Sequence, residues 1–551
     1  VATSNPVYIP SKSPFRVPQD LRAYLEREFL SISRAIRQSV TTRVDVTDFG
    51  AIGDDSTDNL GAFDAAYSRA VELATAGDHG VEIFVPEGKF RFSDEWDVYR
   101  PNSPRVDITI RGVDQFNSIL VANFYGAAKA IIRAVDPLGV TRCSPTSIRD
   151  LGFENASTSG GITPLFIWVL GHGESRVDRV RFGSSNNTHM RLISAQNLRG
   201  TDIVSFFGGR HFNYKATSGL TFTVDTGANT ITASSAIFSA DDVGKYFFVF
   251  PTNVASRIRY LISGFTSSTV VSYTGALELA ATAQAGHFEP ARCSMAAGDP
   301  TLTANADCFT SAMVGLVLYI RRAADGAQGD KLLRATIASF NAADSVELDV
   351  APDNAITDEF FGVATLDMGK EAAFAGSSDV QLDKLHIEHY DGIAFVAQDT
   401  DSYMLEGKIH GETVPTDSAK SLAACWLDDF GGKLQLNLDS SCAMGDTRVY
   451  ACNLNDLVLF DAVWSRHIIN GTLFKTDLFT NEDGYIVCRG LHLFDDVADP
   501  TDLIDDANEA ADSTDPRILF EGVVNMVGDS AKARIYSGRA YFLPDGTGPF
   551  T

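Results

Sequence analysis

Val44–Phe92, VDVTDFGAIGDDSTDNLGAFDAAYSRAVELATAGDHGVEIFVPEGKFRF, is the stretch from which the rest of the chain is read. Val44 and Val46 alternate with polar residues, as a short strand does. Gly50, Gly53 and the pair Asp54-Asp55 suit a tight acidic loop, because Gly takes positive φ freely and Asp bonds its own backbone. Thr57 or Asp58 then caps a helix. Leu60, Phe63, Ala66, Tyr67, Ala70, Val71 and Ala74 recur at helical spacing, which predicts a helix over 58–74. Val81, Ile83 and Val85 alternate again, and Pro86-Glu87-Gly88 turns the chain into Phe90 and Phe92. The acids of the loop read as a capped turn rather than a metal site, since no EF-hand-like ligand spacing follows.

Outside this stretch helical periodicity is rare. Short apolar-alternating runs separated by Gly, Asn, Asp and Ser dominate, and they predict an all-β protein. The run from Ser147 to Asn155 is repeated 29 residues on at Arg176–Phe182, and again near Leu198–Phe207, as in stacked parallel strands. The pattern breaks over 215–370, where the sequence is internally duplicated. Phe238-Ser-Ala-Asp-Asp-Val-Gly matches Phe309-Thr-Ser-Ala-Met-Val-Gly, and Ile262-Ser-Gly-Phe matches Ile337-Ala-Ser-Phe. Two small antiparallel β-units inserted into the repeat are expected there. Repeats resume with Val380–His389, with Leu385 and Ile387 inward and His386 and Glu388 outward.

The opening resembles that of the pectate-lyase-like superfamily in Asp48-Phe49-Gly50-Ala51, Gly53-Asp54-Asp55, Thr57-Asp58, Ala62-Phe63 and Val85-Pro86-Glu87-Gly88. The resemblance implies a right-handed parallel β-helix whose N-terminal end is plugged by the helix. The expected organisation is a leader and amphipathic helix (1–43), a cap and first part of the solenoid (44–214), the inserted duplicated unit (215–370), the second part of the solenoid (371–494), and an acidic loop with C-terminal strands (495–551). Leu21, Leu25, Phe29, Ile32 and Ile36 stripe the first helix, which resembles helices that precede bacteriophage tailspike domains.

A net charge of −26 argues against nucleic-acid binding. No apolar run reaches membrane-spanning length and no signal peptide is visible, so membrane insertion is not expected. The 7 cysteines are scattered without Cys-x-x-Cys and read as buried free thiols, in keeping with folding in a reducing cytoplasm. No cofactor or metal is expected. Phosphate loops, Gly-x-Ser-x-Gly and His-Glu-x-x-His are absent.

Outward residues of successive turns in such a solenoid line a groove, and hydrolysis of a polymer there needs two carboxyl groups about 5–9.5 Å apart. β-Elimination needs a base and a group that neutralises a uronate. The richest outward cluster supplies Glu388, Glu406, Asp428, His386 and His410 as candidate catalytic residues, with Trp426, Tyr390, Asp383 and Arg181 as candidate substrate contacts. Glu388 with Glu406 or Asp428 is the expected acid pair, and hydrolysis is favoured over elimination. The resemblance implies a homotrimeric tailspike of a virion tail. It would be assembled in the host cytoplasm, joined to tail or baseplate proteins, and would act outside the cell on a bacterial capsule, exopolysaccharide or O-antigen. The alternatives are a non-catalytic receptor-binding fibre and a secreted cellular lyase or hydrolase.

Overall fold

The computed structural model describes residues 42–76, 80–100, 106–135, 144, 146–157, 161–170, 174–249, 258–274, 280–321, 332–368, 377–410 and 422–439, and the residues of ten strands between 447 and 536. The leader, the amphipathic helix at 21–40, the C-terminal tail and most of the acidic run lie outside them.

Strands of one turn pair in parallel with strands of the next, and three sheets result. Sheet 1 begins with Thr42–Asp45, Val81–Val85 and Ile108–Gly112. Sheet 2 begins with Asp54–Asp58, Gly88–Phe92 and Ser118–Ala122. Sheet 3 begins with Trp96–Asp97, Ala130–Ala134 and Leu165–Leu170. Inward positions alternate along each strand, as Val81, Ile83 and Val85 show, and stack on like residues of the next turn. Phe153 and Phe182 meet at 5.3 Å and Phe166 and Phe182 at 5.6 Å, forming an aromatic column inside the coil.

In the fourth to seventh turns one long strand serves both sheet 1 and sheet 2, and a single residue turns the corner. Asp150, Arg179, Asp202 and Lys384 occupy this position in successive turns, with φ of 56°, 50°, 53° and 53°. A left-handed residue costs an L-amino acid roughly 1–2 kcal/mol. Here the side chains form a ladder of alternating charge that offsets part of it. Arg179 Nη2 donates to Asp150 at 3.0 Å, and Lys384 lies 3.6 Å from Asp202.

Helix α1, Leu60–Ala76, closes the first turn. It buries Phe63, Ala66, Tyr67 and Ala70; Phe63 lies edge-on to Phe92 at 4.9 Å and Trp96 at 5.1 Å. The acidic segment before it differs from expectation. Asp54–Asp58 is a strand of sheet 2, and the helix starts at Leu60 instead of Asp58. Asp54 accepts the amides of Thr57 at 2.7 Å and Ser56 at 2.9 Å, which hold its carboxyl well below the usual range. Buried Asn59 ties the two elements together, accepting from the Ile52 amide and donating to the Thr57 carbonyl, both at 2.7 Å. Gly53 and Gly88 touch: a Cβ on Gly53 would stand 2.8 Å from the Gly88 Cα. The two motif glycines are required because two backbones meet there.

After the strand Arg199–Phe206 the chain leaves the solenoid. It forms two antiparallel units and re-enters within the strand Ile356–Met368, whose residues 364–368 lie in sheet 3. The units share order and register. Phe222–Asp225 pairs with Thr230–Ala233, and Arg292–Met295 with Thr301–Ala304. Ile258–Ser267 carries its two register shifts at the positions equivalent to those of Leu333–Ala342. Across this excursion the solenoid closes without a break: Arg199–Phe206 pairs directly with Gln381–Glu388. The second unit lies on sheet 3, where Val317, Tyr319, Leu332 and Phe360 form one buried cluster with Ile393, Val396, Trp426 and Tyr450.

Candidate functional site

Each sheet has an outer side, and the insertion divides their fates. Where the second unit lies on it, the outer side of sheet 3 is sealed. Arg191 Nε donates to Asp367 at 2.7 Å, Tyr319 Oη donates to the same carboxylate, and Arg334 lies 3.8 Å from it. Burial alone would raise the Asp367 pKa, but Arg334, Arg191 and the Tyr319 hydroxyl outweigh it and hold the carboxyl below its usual value. Three expectations are corrected by burial. Trp426 and Asp428 are only 2% exposed. Asp428 accepts the Leu332 amide at 3.1 Å and Gln398 Nε2 at 3.0 Å, so it fastens the insertion to the solenoid instead of facing a groove. Tyr390, also read as outward, is 2% exposed and belongs to the core.

Sheet 2 keeps its outer side open. Strand register places Lys89, Arg181, His386 and Lys408 in one column along the solenoid axis. Glu154, Phe206, Glu388 and His410 stand in the neighbouring column, two residues further along each strand. Arg181 therefore shares a face with His386 although the insertion separates them in sequence. Lys89 Nζ meets Glu154 at 2.7 Å, and Arg181 lies 3.7 Å from the same carboxylate. The Arg181 guanidinium sits 5.7 Å from the Phe206 ring and 5.8 Å from that of Phe116, which is 62% exposed. At the end of the strand His386 Nε2 and Glu388 Oε1 are 2.8 Å apart. Phe207, 43% exposed, stacks on His389 at 5.0 Å, both at left-handed corner positions.

Asp383 stands on sheet 1, opposite Thr201 and around the Lys384 corner from His386. His410 is placed beside Glu388 on the next turn, and Glu406 falls between Leu405 of sheet 1 and Gly407 of sheet 2; their side chains lie outside the described residues. Asp391 is drawn toward the root of the insertion, 3.6 Å from His211 and near the half-buried Arg210. Among the described residues no group of three or more His, Cys, Asp or Glu gathers as a metal site. Sequence reasoning missed Lys89, Phe116, Phe206 and Phe207. The two adjacent phenylalanines at the end of one strand, only one of which can point inward, were the available signal.

The face offers alternating charge, exposed rings and an imidazole–carboxylate pair along one line. Rings stack on the C–H faces of sugars while charged and amide groups bond hydroxyls. Cys293, Cys308 and Cys425 are free, and burial raises all three thiols, Cys308 to about 12, so none is a poised nucleophile. No helix of the described residues is long and apolar enough to cross a membrane.

No family model matches the chain, and no curated protein does. Solved structures similar to it include ORF18 of Geobacillus virus E2, at 8% identity over 88% of this chain and 63% of that one, with a TM-score of 0.43. The gp42 tailspike of Acinetobacter phage vb_AbaP_AS12 is 7% identical over 91% of this chain and 61% of that one, with a TM-score of 0.41. DFA-IIIase of Arthrobacter chlorophenolicus A6, in complex with GF2, is 8% identical over 90% and 87%, with a TM-score of 0.40. The chain thus spans less than two thirds of the two phage proteins. Phage and carbohydrate-active proteins of the β-helix kind are its structural neighbours, and none lends it a residue correspondence.

Proposed function

We propose that this protein is a tailspike-type polysaccharide depolymerase, a right-handed parallel β-helix acting as a homotrimer in a virion tail on a bacterial surface polysaccharide. The observation that carries the reading is the open side of sheet 2. A polymer lying along the solenoid axis would pass Phe116, Arg181, Phe206, His386 and Glu388 in order, on rungs about 4.8 Å apart. His386 is the group that exchanges a proton with the substrate and Glu388 orients it or shares its proton. Arg181 and Lys89 hold acidic or hydroxyl groups of the sugar.

Within this reading, proton abstraction by His386 with loss of the leaving sugar fits the face better than a two-carboxylate hydrolysis. Glu154 and Glu388 are three turns apart, about 14 Å, beyond the span that hydrolysis uses. Glu388 with Glu406 remains the hydrolytic version, and Asp428 is withdrawn from it.

The test is an assay of a capsule and exopolysaccharide panel for new reducing ends and for an unsaturated product absorbing in the ultraviolet. Elimination gives both signals, hydrolysis the first alone, and a binding fibre neither. His386→Ala and Glu388→Gln are expected to lower kcat on the order of 10²-fold or more; variants that cleave as fast as the parent overturn the assignment.

A further inference from the structure

The two inserted units share more than a fold. Their buried residues correspond, as a common fold requires: Phe238 with Phe309, Ile262 with Ile337, Val271 with Val346. Gly244 and Gly315 end the same 3-10 turn at φ of 90° and 91°, and each donates its amide to the equivalent isoleucine carbonyl at 2.8 Å. Packing explains all of these.

It does not explain two further pairs. Val243 is 45% exposed and its equivalent Val314 43%. Phe265 is 42% exposed and its equivalent Phe340 36%. Phe265 pairs with Val271 and Phe340 with Val346, so the two rings occupy the same register position of the same hairpin. The turn that bears each valine is tied to the strand that bears each phenylalanine through the glycine–isoleucine bond just named. Around them the copies have diverged: Asp241, Lys245 and Tyr246 of the first are Ala312, Leu316 and Val317 of the second. One exposed valine or phenylalanine in a single copy would be ordinary surface composition; what stands out is the same pair at equivalent positions of both copies. A valine and a phenylalanine kept outward in both copies indicate a task performed twice.

We infer that Val243 with Phe265, and Val314 with Phe340, are two copies of one sugar-stacking site, and that the insertion grips a repeating polysaccharide at two points. The occupant follows from the chemistry. A duplicated site suits a ligand that presents the same unit repeatedly. The rings are flanked by hydroxyl and amide groups, Ser263, Thr266 and Ser267 in one copy and Ser339 and Asn341 in the other, which suit sugar hydroxyls. Two weak sites on one chain gain avidity without any new contact, because the second engagement is intramolecular. This inference rests on the polysaccharide reading given above, but it uses residues apart from the sheet 2 face.

The test compares the intact chain with Phe265→Ser, Phe340→Ser and the double variant. The probes are the polysaccharide that the intact chain depolymerises and the single repeat unit released from it. Binding is measured by calorimetry in a His386→Ala background, and turnover of a short oligosaccharide is measured in the parent background. Each single variant is expected to weaken polymer binding about 3- to 10-fold, and the double variant to bring polymer affinity down to that of the single repeat unit. Turnover of the short oligosaccharide stays unchanged. If the double variant binds polymer as tightly as the parent, the site is overturned while the depolymerase reading stands. If instead sedimentation shows that the variants change subunit association, the patch is a contact between copies of this chain and the inference fails. Should the intact chain neither bind nor cleave any polysaccharide, the functional reading and this inference fall together.

Discussion

His189 shows how much one side chain inside the coil can report. Its ring lies 5.0 Å from Phe166 and 5.7 Å from Phe182, and its Nδ1 pairs with Ser205 Oγ at 2.7 Å. Full burial pushes its pKa down to about 3, against 6.5 for the free side chain. The unfolded chain therefore binds a proton that the folded one refuses. Stability is fully present above pH 6.5 and is lost as the pH falls from there toward 3, at about 1.4 kcal/mol per unit. His189→Gln removes this component. The parent is expected to lose about 2 kcal/mol more than the variant between pH 7 and pH 5, read from denaturant midpoints at the two values. Equal losses would mean that the ring titrates normally in the folded chain.

At the scale of the element, α1 acts as a lid over an aromatic cluster. Phe63 is fully buried among Phe90, Phe92 and Trp96, and Tyr67 reaches past them to donate to the Val98 carbonyl at 2.5 Å. Phe63→Asp deletes the ring and buries an unpaired carboxylate. A loss of roughly 4 kcal/mol or more is expected, seen as insoluble protein or a lowered melting temperature. On the depolymerase reading proposed above, any fraction that folds retains the parent's turnover, because the lid stands away from His386; a folded but inactive Phe63→Asp would contradict this division of roles. The helix was legible in the sequence almost to its ends, since periodicity and Gly punctuation are local signals. The preceding strand was not. Asp54–Asp58 has the composition of a loop, and it pairs with Gly88–Phe92 only because Gly53 and Gly88 let two backbones touch. The charged corner column was equally hidden, because Asp150 and Arg179 meet only when two turns stack.

At the scale of the molecule, the insertion decides which face is covered. It covers sheet 3 through a buried cluster and the Arg191–Asp367–Arg334 group, and leaves sheet 2 open. Asp367→Asn leaves two guanidiniums in that seam without their carboxylate, at a cost of about 3–5 kcal/mol. The second unit should then separate from the solenoid before the coil melts, wetting Trp426 and shifting tryptophan emission to the red. A single unfolding step with no early shift would show that the seam is not held by this group.

The sequence by itself determined what depends on neighbours in the chain: alternation that sends Leu385 and Ile387 inward and His386 and Glu388 outward, the capped helix, the glycines of the opening motif, and the duplicated segment. It also supplied His386, Glu388 and Arg181 of the open face. Only the tertiary structure decided that Trp426, Asp428 and Tyr390 are interior, and that Arg181 and His386 share one column across the insertion. The reason is physical. A period of two tells which side of a strand a residue occupies, but whether that side meets water depends on what a distant segment packs against it.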